Sequence, residues 1–233
     1  MRHQLFLFDL DDTLLDFRAS EQLSFVRTLS ALGYGGAIEP VFQDYQAINV
    51  ALWRSFERGL VDKDFLKVER FRQTFAMHGL ALDPNAASKL YLDALPETVV
   101  LVEGALEVCA RLSNHGEIGI VTNGVEHIQQ RRIASSGLGS FISFVATSEA
   151  CGHAKPDVRI FDYAAGMARA FVPESTIIVG DRLDADILGA NRFGIDSCWF
   201  NPGRLANASE AVPTCEVDSL HQIVPALRKL AAA

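Results

Sequence analysis

Leu5-Phe6-Leu7-Phe8-Asp9-Leu10-Asp11-Asp12-Thr13-Leu14-Leu15 decides how the rest of the chain is read. An unbroken apolar run followed by a burst of carboxylates has the form of a buried strand that stops at an acidic turn. In open α/β sheets, ligands bind at the carboxyl ends of the strands. Asp9 and Asp11 are therefore expected at the mouth of a site, two residues apart and able to reach one small volume. A plainer reading makes them an acidic turn capping the next helix. Three later segments decide against it.

Beyond Leu15 the periodicity is helical as far as residue 98. Ser20 opens a first helix with Phe25, Leu29 and Leu32 in register before Gly33. Pro40 opens a second, carrying Phe42, Tyr45, Ile48, Leu52 and Phe56 on one face up to Gly59. Asp62 or Asp64 caps a third, with Phe65, Val68, Phe71 and Phe75 spaced three or four apart. Asp83-Pro84, an N-cap with proline at the first helical position, starts a fourth.

From Gly104 strands and helices alternate. The strands are Ile118–Thr122, Phe144–Thr147, Thr176–Val179 and Ser197–Phe200, with helices around Cys109, from Glu126 to Ser136, after Asp157, around Ala190 and after Ser219. Such alternation predicts a parallel sheet covered on both faces. The first strand has no sheet to join unless it belongs to this one. The expected architecture is thus α/β: a Rossmann-like doubly wound parallel sheet with an inserted all-α cap domain. Residues 1–15 and 99–233 form the catalytic core, and residues 16–98 form the cap, hung beside the Asp9 loop where a lid would sit.

Composition narrows the partners. The chain has 233 residues, 49% hydrophobic and 21% charged, with a formal net charge of −8. An acidic balance without a basic run argues against a nucleic-acid surface. No apolar run approaches the ~18 residues of a membrane span, and no leader precedes the first strand, so no membrane partner is expected. Cys109, Cys151, Cys198 and Cys215 form no C-x-x-C pair, as expected of reduced thiols in a cytoplasmic protein. Oligomeric state is not readable from this sequence.

Polar groups gather where the strands end. The first strand supplies Asp9 and Asp11, the next Thr122, Asn123 and Gly124, and the fourth Asp181, with Asp184 and Asp186 close behind. Lys155 stands in the loop Ala154-Lys155-Pro156-Asp157. Singly, these read as a turn, a solvent-facing charge and a capped helix start. Together they suit phosphate-ester hydrolysis, a reaction whose uncatalysed slowness leaves room for accelerations up to about 10²¹-fold. Asp9 can attack phosphorus and form an aspartyl-phosphate. Asp11 can protonate the leaving alkoxide and then take a proton from water. Carboxylates repel a phosphate dianion, each like pair at 4 Å costing about 4 kcal/mol at an effective dielectric near 20. Mg²⁺ held by Asp9, Asp181 and oxygen ligands resolves that conflict, and Thr122, Asn123 and Lys155 supply donors for the phosphoryl oxygens.

Asp9-Leu10-Asp11-Asp12-Thr13, Thr122-Asn123-Gly124, Lys155-Pro156-Asp157 and Gly180-Asp181-x4-Asp186 resemble, in order, the four motifs of the haloacid dehalogenase superfamily. The resemblance implies Asp9 as nucleophile and Asp11 as acid/base with its backbone carbonyl on the metal. It also implies Thr122 and Lys155 as phosphate contacts, Asp181 as metal ligand, and Asp186 as a metal support, direct or through water. Asp184 is read as a helix-start charge. The helical insert resembles the superfamily's type-1 cap.

Within that superfamily, Phe42-Gln43-Asp44-Tyr45-Gln46-Ala47-Ile48-Asn49-x2-Leu52-Trp53 and Lys155-Pro156-Asp157-x2-Ile160-Phe161-Asp162-Tyr163-Ala164 resemble bacterial pyrimidine 5′-nucleotidases. The expected substrate is accordingly a nucleoside monophosphate. Trp53, Phe17 and Tyr45 are candidates to stack on a base, Gln43, Gln46 and Asn49 to read its polar edge, and Arg54 to face a ligand. The alternatives are a 2-haloacid dehalogenase, a sugar-phosphate phosphatase or phosphomutase, and a non-catalytic relative that binds a ligand or partner. Asp11 and Asp181 count against the dehalogenase, which needs neither a metal nor that acid.

Overall fold

The computed structural model describes residues 1–231, and the last two alanines of the short C-terminal alanine run lie outside the described residues. The first strand, β1 (Leu5–Phe8), has all four side chains buried. It is followed by helices α1 (Phe17–Ala31), α2 (Ile38–Glu57), α3 (Lys63–Met77), α4 (Pro84–Ala94) and α5 (Ala105–Ser113). Next come β2 (Glu117–Thr122), α6 (Glu126–Ser136), β3 (Phe144–Thr147), the single turn α7 (Ser148–Cys151) and α8 (Val158–Met167). The chain then forms β4 (Thr176–Gly180), α9 (Leu188–Phe193), β5 (Asp196–Phe200), β6 (Cys215–Val217) and α10 (Ile223–Leu230). By packing it divides into two compact units, one of Met1–Phe17 with the chain from Val100 onward, the other of Arg18–Val99.

In the first unit six parallel strands lie in the order β3-β2-β1-β4-β5-β6. β1 is central, with Leu5 in register with both Glu117 and Thr176, and Phe8 with both Ile120 and Val179. The chain winds outward on one side of β1 and then resumes on the other, so the strand order reverses there. That is the Rossmann-like arrangement, and its ligand crevice lies at the carboxyl ends of the strands beside β1. Alternation along β1 sends Leu5 and Leu7 into a core with Val121, Ile160, Phe161, Ile178 and Ala190, beneath α8 and α9. Phe6, Phe8, Ile118 and Ile120, on the opposite face, are equally buried. Burial on both faces explains why these strands are continuous apolar runs.

β6 was not expected. It pairs with β5 from Cys198↔Cys215 to Phe200↔Val217, and three residues are too short to register as an alternating pattern. The closing helix also differs: the Ser219 hydroxyl accepts from the His221 N–H at 3.4 Å, and a tight turn over Leu220–Gln222 precedes α10. Among the described residues no helix is long and apolar enough to cross a membrane.

The second unit is four helices. Asp62 caps α3 by accepting from Phe65 N–H at 2.7 Å, and Asp83 caps α4 with Pro84 at its first position. α1 begins at Phe17, three residues before the expected Ser20. Phe65, expected in the core, is 47% exposed; Leu66 is buried in its place. The inward face of α3 includes Glu69 and Arg70, which a count of apolar residues does not register.

Arg70 belongs to a buried polar chain that corrects the expected ligand contacts. Asn49 is buried, donates to Glu21 Oε1 at 2.7 Å and accepts from Arg70 Nη1 at 3.2 Å. Gln46 donates to Glu21 Oε2 at 3.2 Å, while Gln43 donates to Glu39 at 3.0 Å. Tyr45 is fully buried, its ring centroid 4.6 Å from Phe25 and 5.1 Å from Phe71. Asn49 and Tyr45 thus serve the bundle. Trp53 is half-buried and meets Phe56 edge-on at 5.7 Å, and Arg54 is exposed.

The register of β1 with β2 depends on Gly116. A Cβ there would run into the Gln4 carbonyl oxygen and lie 2.6 Å from its carbon, where Glu117 N–H donates to the same oxygen at 2.8 Å. The obstacle is backbone, so the strands must shift. Gly116→Ala should destabilise the protein by ~1–3 kcal/mol, the range for overpacked sites. Urea unfolding followed by circular dichroism checks it; an unchanged midpoint would show that the strand ends yield freely.

Candidate active site

Asp9 follows directly on β1, its N–H still donating to Val179 O at 2.9 Å, so the central strand itself aims it. The chain then turns sharply at Asp12, whose φ of 59° lies in the left-handed region that aspartate tolerates better than most residues. The turn is closed by Asp12 N–H to Leu15 O at 2.7 Å and by Phe17 N–H to Asp12 Oδ1 at 3.0 Å. It tucks Thr13 back beneath the strand ends, fully buried. The Thr13 hydroxyl lies 3.4 Å from both Asp9 Oδ2 and Asp181 Oδ1, and accepts from Asp181 N–H at 3.1 Å.

Lys155 reaches the same place from the loop before α8, across a cis peptide to Pro156. Its buried Nζ donates to Asp9 Oδ1 at 2.5 Å, Asp186 Oδ1 at 2.6 Å and Val121 O at 2.7 Å. All three ammonium donors are thereby used. Its backbone is held by Asn123, whose Oδ1 accepts from Lys155 N–H at 2.8 Å and whose Nδ2 donates to Lys155 O at 3.2 Å. The Asn123 side chain, expected to face substrate, therefore serves as a strap on the Lys155 loop.

Asp181 and Asp186 come from the end of β4. A wide turn with Ile187 N–H donating to Arg182 O at 3.3 Å swings Asp186 back toward the strand, where its Oδ2 accepts from Arg182 N–H at 3.0 Å. Such wide turns often mark functional sites. Gly180 makes room: a Cβ there would lie 2.5 Å from Asp186 Cβ and closer still to its carboxyl group. Trp199, opposite Gly180 on β5, donates its indole N–H to Asp181 O at 2.9 Å.

The carboxylates of Asp9, Asp181 and Asp186 offer oxygens within 4.8 Å of one another. Burial pushes Asp9 up to about 7, with Lys155 opposing and Asp186 and Asp11 adding to the rise. Burial, then Asp9 and Asp186, push Asp181 up to about 9. Burial works to lower the Lys155 ammonium, but Asp186 and Asp9 overcome it and leave it raised. Three carboxylates crowd against one ammonium, and the upward push on Asp9 and Asp181 marks a place where the protein itself supplies too little positive charge. The donors are hard oxygens, so the cluster fits Mg²⁺. Both Asp186 oxygens are occupied by Lys155 and Arg182, and Asp9 Oδ1 by Lys155. Asp9 Oδ2 and the Asp181 carboxylate, facing each other across Thr13, are therefore the better placed to hold the ion. The Asp11 carboxylate is not part of this cluster.

Asp11 lies with the second motif. Its Oδ1 accepts from Arg132 Nη1 at 2.5 Å and its Oδ2 from Gln129 Nε2 at 2.8 Å. Gln129 Nε2 also donates to Thr122 Oγ1 at 3.0 Å, and Gly124 N–H donates to the same oxygen at 3.1 Å. Arg132 is fully buried, with the Phe17 ring centroid 5.4 Å from its guanidinium carbon. Thr13, Gln129, Arg132 and Trp199 were not singled out from sequence. The available signal was α6 itself, whose inward face carries Gln129 and Arg132 between Ile128 and Ile133.

Gly180→Ala should drive the Asp186 carboxylate off Lys155 and leave that ammonium underpaired. We expect hydrolytic activity to fall at least tenfold while the sheet persists by circular dichroism. Full activity would show that Asp186 can move without consequence.

A family model of haloacid dehalogenase-like hydrolases matches residues 3–194. The chain is 34% identical to the pyrimidine 5′-nucleotidase PynA of Streptococcus pneumoniae, over 98% of this chain and 97% of that one. It is 31% identical to the pyrimidine 5′-nucleotidase YjjG of Escherichia coli, over 98% of this chain and all of that one. The magnesium-bound crystal structure of the HAD-hydrolase YfnB of Bacillus subtilis superposes with a TM-score of 0.90 at 34% identity, covering 97% of this chain and 99% of that one. With the sheet order, the carboxylate cluster and these full-length similarities in agreement, the chain belongs to the haloacid dehalogenase-like hydrolases.

Proposed function

We propose that the protein is a cytoplasmic, Mg²⁺-dependent phosphatase acting on small phosphate monoesters, in particular pyrimidine nucleoside 5′-monophosphates. The observation that carries the reading is the buried Asp9 carboxylate at the end of the central strand, held at 2.5 Å by Lys155 and facing Asp181 across Thr13. A carboxylate so fixed has its attacking oxygen oriented before substrate arrives.

Asp9 attacks phosphorus and becomes the aspartyl-phosphate. Lys155 stays paired with Asp9 and Asp186 and opposes the rise that burial imposes on the nucleophile. The Thr122 hydroxyl donates to a phosphoryl oxygen, as does backbone N–H in the Thr122-Asn123-Gly124 turn. Asp11, once it leaves Arg132 and Gln129 and takes up a proton, gives that proton to the departing alkoxide and then takes one from the water that cleaves the acyl phosphate. Asp9 and Asp181 would hold Mg²⁺, with Asp186 and the Asp11 backbone carbonyl in support, and the ion would supply the positive charge that offsets repulsion between carboxylates and phosphate.

Every group named addresses the phosphoryl end, so we assign choice of leaving group to the helical unit of residues 18–99, with Trp53 as the base-stacking residue. The near-full-length similarity to two pyrimidine 5′-nucleotidases supports that assignment. Stacking is worth ~1–3 kcal/mol per base in single-strand binders, enough to favour nucleotides about tenfold or more.

A phosphate-ester panel assayed with and without Mg²⁺ tests the reading. We expect kcat/KM for dUMP or dTMP to exceed that for glucose 6-phosphate or phosphoglycolate, and Asp9→Asn to abolish all turnover. Trp53→Ala should narrow the gap and spare p-nitrophenyl phosphate. Better turnover of sugar phosphates would overturn the nucleotidase reading alone; activity in Asp9→Asn would overturn the mechanism.

A further inference from the structure

Gln129 is buried, and its amide touches three groups of different sign. Arginine has donors and no acceptor, so Gln129 Oε1 must be the atom facing Arg132 Nη1, at 2.8 Å. That settles which way the amide points, and its Nε2 must face Asp11 Oδ2 and Thr122 Oγ1. Thr122 Oγ1 then accepts twice, from Gln129 Nε2 and from Gly124 N–H. Both lone pairs of the hydroxyl are occupied, leaving its proton as its remaining hydrogen-bonding capacity. Gly124 fits the same arrangement, since a Cβ there would lie 2.6 Å from Gln129 Cδ and closer to Nε2.

We infer that Gln129, clamped by Arg132, is a positioning residue that fixes the Thr122 hydroxyl as a donor to the phosphoryl group and ties it to Asp11. The inference deepens the phosphatase reading and rests on it. Without Gln129 the hydroxyl regains a free lone pair and can rotate, so a phosphate oxygen meets a donor only part of the time. Gln129→Glu goes further: the new carboxylate still accepts from Arg132, cannot donate to Thr122, and attracts the hydroxyl proton that should face substrate.

The test uses inorganic phosphate as probe, with the full chain and Mg²⁺, reading its dissociation constant by calorimetry beside KM and kcat for p-nitrophenyl phosphate. A charge-assisted hydrogen bond made only part of the time predicts about fivefold weaker phosphate binding in Gln129→Met and a larger loss in Gln129→Glu. Because Gln129 acts through Thr122, Gln129→Met should cost less than about twofold on a Thr122→Val background. Equal losses on both backgrounds, or none on either, would overturn the inference, as would a loss in kcat with phosphate affinity unchanged. Thermal melting of each variant separates lost positioning from lost fold, and Gln129→Glu serves if Gln129→Met does not fold. A wild-type chain that neither binds phosphate nor cleaves any ester overturns the phosphatase reading and this inference with it. An active wild type with unaffected variants overturns the inference alone.

Discussion

The ammonium of Lys155, buried between Asp9 and Asp186 with its third donor on Val121 O, is the interaction on which the site depends. A carboxylate brought alone to the end of a buried strand would take up a proton rather than bear its charge. The strand must be buried for the sheet to hold, and the carboxylate must be ionised to act. Lys155 works against that conflict from one side, opposing the rise that burial imposes on Asp9. Asn123 straps its backbone, Gly180 admits Asp186, and the wide turn after Arg182 returns Asp186 to the ammonium.

That arrangement divides Asp9, Asp11, Asp181 and Asp186 by role. Asp186 is spent on Lys155 and the Arg182 backbone, Asp11 on Arg132 and Gln129, and only Asp9 and Asp181 keep oxygens turned toward one another. Removing one partner of such a buried pair leaves the other charge uncompensated, which costs more than the pair contributes while intact. The two halves of the site are therefore locked separately, one through Lys155 and one through Arg132.

The sheet was legible because strands buried on both faces must be apolar throughout, and Leu5–Phe8 and Thr176–Val179 are. Asp9, Lys155, Asp181 and Asp186 were legible because each stands at or near a strand end, where sequence position and spatial position coincide. Gln129, Arg132 and Trp199 were not, because each meets a partner distant in sequence: Gln129 and Arg132 meet a carboxylate 118 and 121 residues away, and Trp199 a carbonyl 18 residues away, just past the neighbouring strand. Asn49 was misread for the mirror-image reason. An amide on a helix reads as surface until Glu21 and Arg70 arrive from other helices to enclose it.

The sheet's two edges are short, four residues in β3 and three in β6. An edge strand is a row of unpaired backbone groups, and long flat edges recruit strands from other molecules. β6 also carries an exposed charge at its midpoint, Glu216, held by Asn201 Nδ2 at 2.7 Å. The segment least visible in the sequence thus works as a terminator: it closes β5, which bears Trp199, and offers an incoming chain too little ladder, with a carboxylate in its path, to propagate from. Parallel sheets join segments distant in sequence and form slowly, so a short, charged edge matters most while such a sheet is incomplete.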